Sequence, residues 1–462
     1  MKFVNRFSEI KYLHKEWQGK KSALIVIYGR RRIGKTELIK EFIKDKEYLY
    51  FLGRKVSEKD NLQFLTLALS QKYKDSFLEK QPFFSWDSFF EYLLNKVRKK
   101  TVIVFDEFPY FVSATKGLSS IFQYWWDNKL KDNPHLFLIL CGSSISMMLE
   151  EVLLYKAPLY GRRTGQILLA PMSFFDSWKF FPKKHFASFL NFFSVTGGVP
   201  EYLKRFTKYQ KLSSAFKNEV FLKQSPLYEE VDFILKEELR EPKNYFSILK
   251  SLALKRNKIS EIITETGLPK SAIHNYLFNL ENLNLVTKEV PPTEKNPLKS
   301  RKGRYWLTDN FFRFWFNFVL PLKETVEIED SPNITSRLKK YFPALVEQTY
   351  EKVAQEILLS KKQVIGQFSK IGRYWDKEIE IDLLAVNEEK NKILFGEVKW
   401  SKKKVGVNIF KSLLEKSRKI NWGKKGEREE VFVLFSKSGF SRGIKERAKK
   451  EKVFLFQGEK LL

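Results

Sequence analysis

The stretch that decides the fold is ALIVIYGRRRIGKT, residues 23–36. Its first six residues are apolar, as in a buried parallel strand. The next eight, Gly29 to Thr36, fit G-x-x-x-x-G-K-[ST], the phosphate-binding loop. The residues that follow, ELIKEFIK, have the spacing of an amphipathic helix. Strand, loop and helix in this order are the context that the motif needs, so the segment predicts a site for a nucleoside triphosphate.

The residue types of this loop suit a polyphosphate. Gly29 and Gly34 permit a tight turn in which successive backbone N–H groups point inward at the phosphates. Lys35 is expected to reach the β- and γ-phosphates, and the Thr36 hydroxyl to complete the shell of a magnesium ion. A chance glycine turn beside a lysine is the alternative. The residues predicted here to bind ATP are Gly29, Arg30, Arg31, Arg32, Ile33, Gly34, Lys35, Thr36 and Glu37.

A second apolar run ends in two acids. Residues 101–107 read TVIVFDE, and acids are costly inside a buried strand unless they lie at its exit, where open α/β sheets bind ligands. Asp106 is therefore the predicted magnesium partner. Glu107 is the predicted base that orients and deprotonates the attacking water, a role typically worth ~10²–10⁴-fold in rate. A plain helix N-cap is the alternative for such a pair.

Two further segments are candidates for contact with the γ-phosphate. A strand predicted at 136–140 ends in CGSS, where Ser143 is expected to hydrogen-bond the γ-phosphate or the lytic water. A helix cap explains one of these serines nearly as well. Arg162 and Arg163 precede another predicted strand, 166–170. A guanidinium near the γ-phosphate stabilises charge in the transition state, so Arg162 is a candidate catalytic residue, acting within one chain or on a neighbour. Surface charge is the alternative.

Other stretches match a known family: FVNR at 3–6, FDEF at 105–108, GSS at 142–144, PLYGR at 158–162 and TGGVP at 196–200. With these stretches and the phosphate loop, the chain resembles the archaeal-type ATPase family, P-loop proteins close to the AAA+ and STAND groups of switch ATPases. The resemblance implies that Asn5 and Arg6 line the adenine side of the pocket. It also implies that Pro200 lies beside the bound nucleotide. Family members often have an acid where this chain has Phe7.

Composition and charge limit the class of protein. A chain of 462 residues is too long for one hydrophobic core, so about three domains are expected. One cysteine excludes a disulfide framework, and no apolar segment is long enough to cross a bilayer. We therefore expect a cytoplasmic protein without a membrane partner. The net charge of +30 predicts a polyanionic partner, nucleic acid and DNA in particular. An even spread of lysines over solvated faces is the alternative.

A winged helix-turn-helix domain is predicted at 236–309. Helical patterns at 244–254, 259–266 and 269–283 enclose the turn Gly267-Leu268-Pro269, and a hairpin at 285–309 forms the wing. Lys270, Ser271, His274 and Asn275 would face outward on the third helix, where they can reach a major groove. Packing against the nucleotide domain or binding a protein are the alternative uses of such a domain.

Residues 310–462 are predicted to be nuclease-like. The strands KEIEIDLLAV (377–386) and ILFGEVKW (393–400) form a hairpin around NEEKNK. Since side chains alternate along a strand, Glu397 and Lys399 share a face, and Asp382 meets them from the partner strand. Asp382 and Glu397 would hold magnesium and Lys399 would position the water in metal-dependent phosphodiester cleavage. Ordinary solvent-facing acids and lysines are the alternative.

The preceding helix, residues 346–358, offers Glu351 as a further acid, with Glu347 as the alternative one turn earlier. A helical Glu followed by D-x14-E-x-K resembles the PD-(D/E)XK nuclease superfamily, many members of which bind nucleic acid without cutting it.

The expected architecture is thus α/β throughout. A P-loop NTPase parallel sheet with a helical lid occupies 1–235, a winged helix 236–309, and a restriction-endonuclease-like α/β domain 310–462. The expected function is an ATP–Mg²⁺-dependent, hydrolysing switch coupled to a nuclease-like effector. The alternative is a non-catalytic, ATP-controlled regulator that binds DNA or protein. A protein partner or a homo-oligomer is compatible with both.

Overall fold

The computed structural model describes residues 3–239, 241–328, 331–424 and 427–462. The predicted domain ranges also contain residues 1–2, 240, 329–330 and 425–426, which lie outside the described residues. The chain divides into two compact units. Unit 1 is the chain up to Pro171 together with Val199–Glu201, and unit 2 is Met172–Gly198 together with the chain from Tyr202 onward.

Unit 1 contains a five-stranded parallel sheet. The strands are β1 (Ala23–Tyr28), β2 (Tyr48–Leu52), β3 (Thr101–Asp106), β4 (Leu136–Gly142) and β5 (Gly165–Leu168), in the spatial order β2-β3-β4-β1-β5. Every residue of β1, β3 and β4 is buried, which explains their uninterrupted apolar sequences. The parallel α/β sheet expected around the phosphate loop is confirmed. Because all strands run the same way, the loop after β1 and the acids at the end of β3 lie at one edge.

The helices of unit 1 cover this sheet. Its helix α2 begins at Lys35, the seventh residue of the phosphate loop, and its buried residues Leu38, Ile39 and Phe42 pack in one cluster with Ile25 and Ile27 of β1. The helices are α1 (Phe7–Trp17), α2 (Lys35–Ile43), α3 (Glu58–Tyr73), α4 (Ser76–Lys80), α5 (Trp86–Lys96), α6 (Phe108–Ala114), α7 (Leu118–Trp125) and α8 (Ile145–Met148), with π-helical turns at Trp126–Leu130 and Leu149–Leu153.

Unit 2 begins with short helices. They are α9 (Phe174–Trp178), α10 (Phe186–Thr196), α11 (Pro200–Phe206), whose first two residues count with unit 1, α12 (Leu212–Ala215) and α13 (Glu230–Glu238). A π-helical turn, Phe216–Val220, follows α12. These helices lie within the predicted range 1–235 or at its end, and the helical lid of that range stays a prediction.

The helix-turn-helix elements lie where the sequence predicted them. They are α14 (Pro242–Ala253), α15 (Ile259–Thr266) and α16 (Lys270–Asn282), followed by the antiparallel pair β6 (Val286–Glu289) and β7 (Arg304–Leu307). Gly267 ends α15 with φ of 67°, a backbone region that glycine enters without penalty. Pro269 then precedes α16. We refer to residues 286–307 as the wing.

A helical segment joins the wing to the C-terminal sheet. It contains α17 (Asn310–Phe314), a π-helical turn (Trp315–Val319), a 3-10 turn (Leu320–Leu322), α18 (Lys323–Glu327), α19 (Ser331–Ser360) and α20 (Lys362–Ile365). The apolar run at 311–322 is helical, and most of its side chains are buried. No helix among the described residues is both long and apolar enough to cross a membrane.

The C-terminal sheet has six strands in the order β13-β12-β11-β10-β9-β8. They are β8 (Lys370–Trp375), β9 (Glu380–Asn387), β10 (Lys392–Lys399), β11 (Glu429–Ser436), β12 (Val453–Gln457) and β13 (Lys460–Leu461), with helices α21 (Val407–Lys419) and α22 (Arg442–Glu451). The β9–β10 hairpin is antiparallel, and β10, β11 and β12 are parallel neighbours.

Two details of this sheet differ from the sequence prediction. Strand β9 begins at Glu380 rather than Lys377 because Asp376 Oδ1 accepts hydrogen bonds from the backbone N–H groups of Glu378 (2.8 Å) and Ile379 (2.9 Å), which forms a turn. Strand β8 was not predicted. It pairs antiparallel with β9 and extends the sheet beyond the hairpin.

Candidate functional site

The phosphate loop has the backbone shape that its glycines suggested. Gly29 has φ of 151° and Gly34 has φ of 93°. A Cβ atom on Gly29 would lie 2.5 Å from the carbonyl oxygen of Leu169, so the close approach of these two backbone segments requires glycine. The Lys35 ammonium is buried and donates to the carbonyl oxygens of Gly29 (2.8 Å) and Arg30 (3.1 Å), which places its charge inside the loop.

Residues distant in sequence close around this loop. Arg6 is buried, and its guanidinium donates to the carbonyls of Ala170 (2.6 Å) and Ile33 (3.4 Å). Asn5 and Arg6 both have left-handed backbones, with φ of 64° and 66°. Pro200 Cγ lies 3.8 Å from where a Cβ on Gly34 would be. The structure therefore brings Arg6 and Pro200, two of the residues assigned by family resemblance, against the loop.

Other predicted loop residues have different surroundings. Ile33 is buried in the core, and Arg31 donates to the hydroxyl of Tyr110. Arg32 has a left-handed backbone with φ of 65°. Glu37 is turned to solvent, with its side chain 72% exposed and 3.7 Å from Lys40.

Asp106 is a buried carboxylate with several donors. Its Oδ2 accepts a hydrogen bond from Thr36 Oγ1 at 3.0 Å and another from the Tyr50 hydroxyl, while Oδ1 accepts from the backbone N–H of Glu107 at 3.0 Å. Burial, and then the charge of Asp106, raise the pKa of Tyr50 well above its ordinary value. The hydroxyl and carboxylate oxygens that converge here are the ligand types that Mg²⁺ prefers, so these side chains fit such an ion.

Burial and the charge of Asp106 also raise the pKa of Cys141 well above its ordinary value. This thiol is completely buried on β4, the strand between β1 and β3. A thiol in this environment stays protonated at neutral pH and is a poor nucleophile.

Glu107 lies at the exit of β3 and contacts Ser143 at the exit of β4. Its Oε2 accepts hydrogen bonds from the Ser143 hydroxyl (2.8 Å) and the Ser143 backbone N–H (3.2 Å). The Glu107 backbone has φ of 55°, a strained region for a residue with a side chain. The sequence placed Ser143 at the γ-phosphate or the lytic water, and in this structure Ser143 contacts Glu107.

The two arginines after the PLYG stretch contact other residues of this chain. The Arg162 guanidinium lies 3.1 Å from Asp127 Oδ2. Arg163 donates weakly to the carbonyl of Leu153 (3.4 Å) and lies over the ring of Tyr160. A role for Arg162 at the γ-phosphate therefore stays a prediction.

The second candidate centre lies on the C-terminal sheet. Lys399 Nζ is 2.7 Å from Glu397 Oε1 and 3.3 Å from Asp382 Oδ2, so the three residues meet as strand alternation indicated. The other oxygen of Glu397 is 3.4 Å from Lys416 Nζ. Burial lowers the pKa of Lys399, but the charges of Asp382 and Glu397 outweigh burial and raise that pKa above its ordinary value. Lys416, on α21, was not found from the sequence.

Helix α19 adds one acid to this centre and one to its edge. Glu351 forms an ion pair with the buried Arg373 of β8. Burial raises the pKa of Glu351 to about 7, against the opposing charge of Arg373. Glu347 accepts a hydrogen bond from the backbone N–H of Trp400 at 3.2 Å. Within the described ranges, no group of three or more histidine, cysteine, aspartate or glutamate side chains is arranged to hold a metal ion.

The third helix of the helix-turn-helix, α16, presents a polar face to solvent. Lys270, Ser271, His274 and Asn275 are all exposed, as is Phe278. Ile273, Leu277 and Leu280 on the other face are buried. The side chains named from the sequence as candidates for a major groove are therefore accessible.

Comparisons with known proteins identify the family. Residues 3–206 match a family described as an ATPase domain found predominantly in Archaea. The uncharacterized protein MJECL04 of Methanocaldococcus jannaschii is 35% identical over 429 residues, which cover 90% of this chain and 92% of that protein. This chain belongs to an archaeal family of P-loop ATPases. A shorter match, 51% identical over 45 residues, joins 10% of the ATPase to 76% of the uncharacterized ATP-binding protein MJ0423 of the same organism.

A solved structure shows the same fold as part of the ATPase. The Walker-type ATPase PABY2304 of Pyrococcus abyssi has a TM-score of 0.52 and 21% identity, and the match covers 68% of this chain and 96% of that one. Residues 243–289 match the IclR helix-turn-helix domain. Residues 315–410 match a family of archaeal and bacterial proteins of unknown function. The nucleotide domain and the helix-turn-helix thus agree with the sequence analysis, while the nuclease likeness of the C-terminal region stays a prediction.

Proposed function

We propose that this ATPase is an ATP–Mg²⁺-dependent switch whose unit 2 acts on DNA. The proposal rests on two side-chain contacts at the nucleotide site. Thr36 contacts Asp106, and Ser143 contacts Glu107. These groups stand at the carboxyl edge of a parallel sheet, where such sheets bind ligands. The domain boundaries at 235 and 309 are part of the same proposal.

The loop would bind the nucleotide through its backbone N–H groups and Lys35. The ammonium of Lys35 would exchange the carbonyls of Gly29 and Arg30 for the β- and γ-phosphate oxygens, which are stronger, charged acceptors. Thr36 and Asp106 would hold the magnesium ion, which neutralises charge on the phosphates when it is bound. Asn5, Arg6 and Pro200 would border the base and sugar.

Hydrolysis would depend on Glu107. Its carboxylate would orient the attacking water and accept a proton from it, the general-base role. Ser143 would hold the carboxylate through two hydrogen bonds until the nucleotide is in place. Arg162 would stabilise the γ-phosphate in the transition state after release from Asp127. Slow turnover would suit a switch.

Unit 2 would use its positive charge to bind nucleic acid. The helix-turn-helix match at 243–289 and the exposed polar face of α16 support DNA as the ligand. Asp382, Glu397, Lys399 and Glu351 would then form a magnesium-dependent phosphodiesterase site, with Asp382 and Glu397 as metal ligands.

One observation favours the non-catalytic alternative for this C-terminal region. Both carboxylate oxygens of Glu397 already face an ammonium group, that of Lys399 or of Lys416. A carboxylate neutralised in this way is a weaker metal ligand. The regulator would then bind DNA or protein under the control of ATP without cutting.

Two variants test the ATPase mechanism. Lys35→Ala should abolish ATP binding, whereas Glu107→Gln should bind ATP normally and reduce turnover by ~10²–10⁴-fold, because the amide keeps the size of the side chain but cannot accept a proton. Binding is measured with a fluorescent ATP analogue and turnover by phosphate release. Wild-type turnover by Glu107→Gln would contradict the assignment of the base.

Plasmid and single-stranded DNA cleavage with Mg²⁺ or Mn²⁺, with and without ATP, decides between nuclease and regulator. Metal-dependent cutting by the wild type that Asp382→Ala abolishes, and that the exposed-turn control Glu389→Ala keeps, would support the nuclease. DNA binding without any cutting would support the regulator.

A further inference from the structure

A cavity of about 380 Å³ lies within unit 2 between the helix-turn-helix and the C-terminal sheet. One wall comes from the loop before α15, from Glu261 at the start of α15 and from β7 of the wing. The other comes from α19, β8 and β9, and it includes Asp382 and Glu351 of the second candidate centre. The cavity therefore joins the predicted DNA-binding domain to the predicted catalytic carboxylates.

Specific contacts fix the wing against the sheet. Trp375 Nε1 donates to the carbonyl of Lys302 at 2.9 Å, and Arg304 Nη1 lies 3.3 Å from Glu380 Oε1. The Arg304 guanidinium also lies over the ring of Trp375, 4.8 Å from its centre. These contacts join the wing to both β8 and β9, so the wall is a built part of unit 2.

The cations of the cavity come mainly from the helix-turn-helix and the wing. Lys255 and Lys258 are exposed at its rim, and Arg304 is largely buried, with 15% of its side chain exposed. Arg373 is the fourth cation. It is paired with Glu351, Arg304 is paired with Glu380, and Lys258 Nζ lies 3.7 Å from Glu261, which lines the cavity on the same wall. The wall that carries the lysines thus faces the wall that carries Asp382.

We propose that this cavity takes one nucleotide of a single nucleic-acid strand, with its phosphate held by Lys255, Lys258 and Arg304 and its backbone turned toward Asp382. The proposal rests on the proposed action of unit 2 on DNA. It adds that the helix-turn-helix and the wing form a wall of the C-terminal centre. Nucleic-acid binding by the helix-turn-helix and wing, and chemistry or recognition at the C-terminal centre, then use one continuous surface.

The size of the cavity favours a single strand, and the charges of its walls indicate where the phosphate lies. The volume is at the lower end of the ~300–1,000 Å³ typical of ligand pockets, which gives room for one nucleotide. A double helix, whose major groove alone is ~12 Å wide, is too wide to enter. The wall of the helix-turn-helix and wing has three cations and one carboxylate, Glu261, whereas the sheet side has one cation and three carboxylates. The phosphate is therefore expected to lie on the lysine side. A flexible strand can place its phosphates there while a base enters the cavity.

The test measures binding of a fluorescein-labelled single-stranded oligonucleotide by the full chain in EDTA, so that no metal-dependent cutting takes place. The variant is the double charge reversal Lys255→Glu/Lys258→Glu. Its matched control is Lys449→Glu/Lys450→Glu, two exposed lysines on α22 that do not line the cavity. A second comparison uses Lys270→Ala/His274→Ala on α16 with a duplex of the same sequence.

We expect the rim variant to bind the single strand at least 10-fold more weakly than the wild type and the control. Its log–log dependence on salt should become shallower by ~0.7 for each phosphate that the variant no longer neutralises. Equal affinity and equal slope in the rim variant and the control would overturn the inference. If duplex binding still depended on α16 in that case, the proposed action of unit 2 on DNA would be supported and only the single-strand cavity would be refuted. If the wild type bound neither single strand nor duplex, both would fall.

Discussion

Removal of the Tyr50 hydroxyl should increase the affinity of the nucleotide site for magnesium. Tyr50 donates to Asp106 Oδ2, the same oxygen that accepts from Thr36. This is a lone-pair position that a cation shared by Thr36 and Asp106 would need. In Tyr50→Phe the ring and its packing remain, and one donor to a buried carboxylate is removed.

The magnitude follows from that single bond. A hydrogen bond to a charged group contributes ~1.5–3 kcal/mol to stability, so the nucleotide-free protein should be destabilised by about 2 kcal/mol. In the ATP–Mg²⁺ complex the metal charge replaces the missing donor, and the destabilisation should nearly vanish. A thermodynamic cycle then requires Mg²⁺ to bind the ATP complex ~10- to 100-fold more tightly in the variant.

The assay is a Mg²⁺ titration of the ATP complex, followed by fluorescence of an ATP analogue, together with thermal unfolding in EDTA. Tyr48→Phe is the matched control, since Tyr48 is on the same strand and 43% exposed. ATP affinity without magnesium should be similar in all three proteins. Unchanged or weaker Mg²⁺ affinity in Tyr50→Phe would refute competition between the hydroxyl and the metal at Asp106.

Three further predictions concern single positions. Ser143→Ala removes the 2.8 Å bond to Glu107, and the freed carboxylate should change kcat for ATP by more than threefold without changing ATP affinity; unchanged kcat would remove Ser143 from the mechanism. Gly29→Ala should abolish ATP binding, because its Cβ would meet the carbonyl of Leu169 at 2.5 Å; normal binding would contradict this loop geometry. Burial lowers the pKa of Lys352 to about 8, so the folded chain loses this proton before the unfolded chain does. The unfolding free energy should therefore rise between pH 8 and pH 10.5, by at most roughly 3 kcal/mol, and chemical denaturation of Lys352→Met should lack that rise.

Local sequence patterns were sufficient to predict the site residues that belong to short motifs. Lys35 and Thr36 follow from an eight-residue motif, and Asp106 from an apolar strand that ends in acids. Their meeting follows from the parallel sheet. Tyr50 was not predicted as a site residue because it is 56 residues from Asp106 in the sequence. It stands in an apolar strand whose pairing with β3 is not encoded in either segment alone.

The same limit explains the C-terminal centre. Alternation along two adjacent strands placed Asp382, Glu397 and Lys399 on one face, since a hairpin fixes its own register. Arg373 was missed because it lies on β8, a strand that the sequence did not reveal, and its partner Glu351 comes from a distant helix. The cavity between the helix-turn-helix and the C-terminal sheet depends on packing between segments that are distant in sequence, for which a single sequence has no periodic signal.

The buried thiol of Cys141 makes this ATPase a convenient subject for site-specific labelling. It is the single cysteine of the chain, is completely enclosed, and has a raised pKa, so maleimide reagents should spare it in the folded protein. A cysteine introduced at an exposed position such as Lys258 can then carry a fluorophore while the native thiol stays in place. Slow modification of Cys141 itself would report how often the strands behind the nucleotide loop open to solvent.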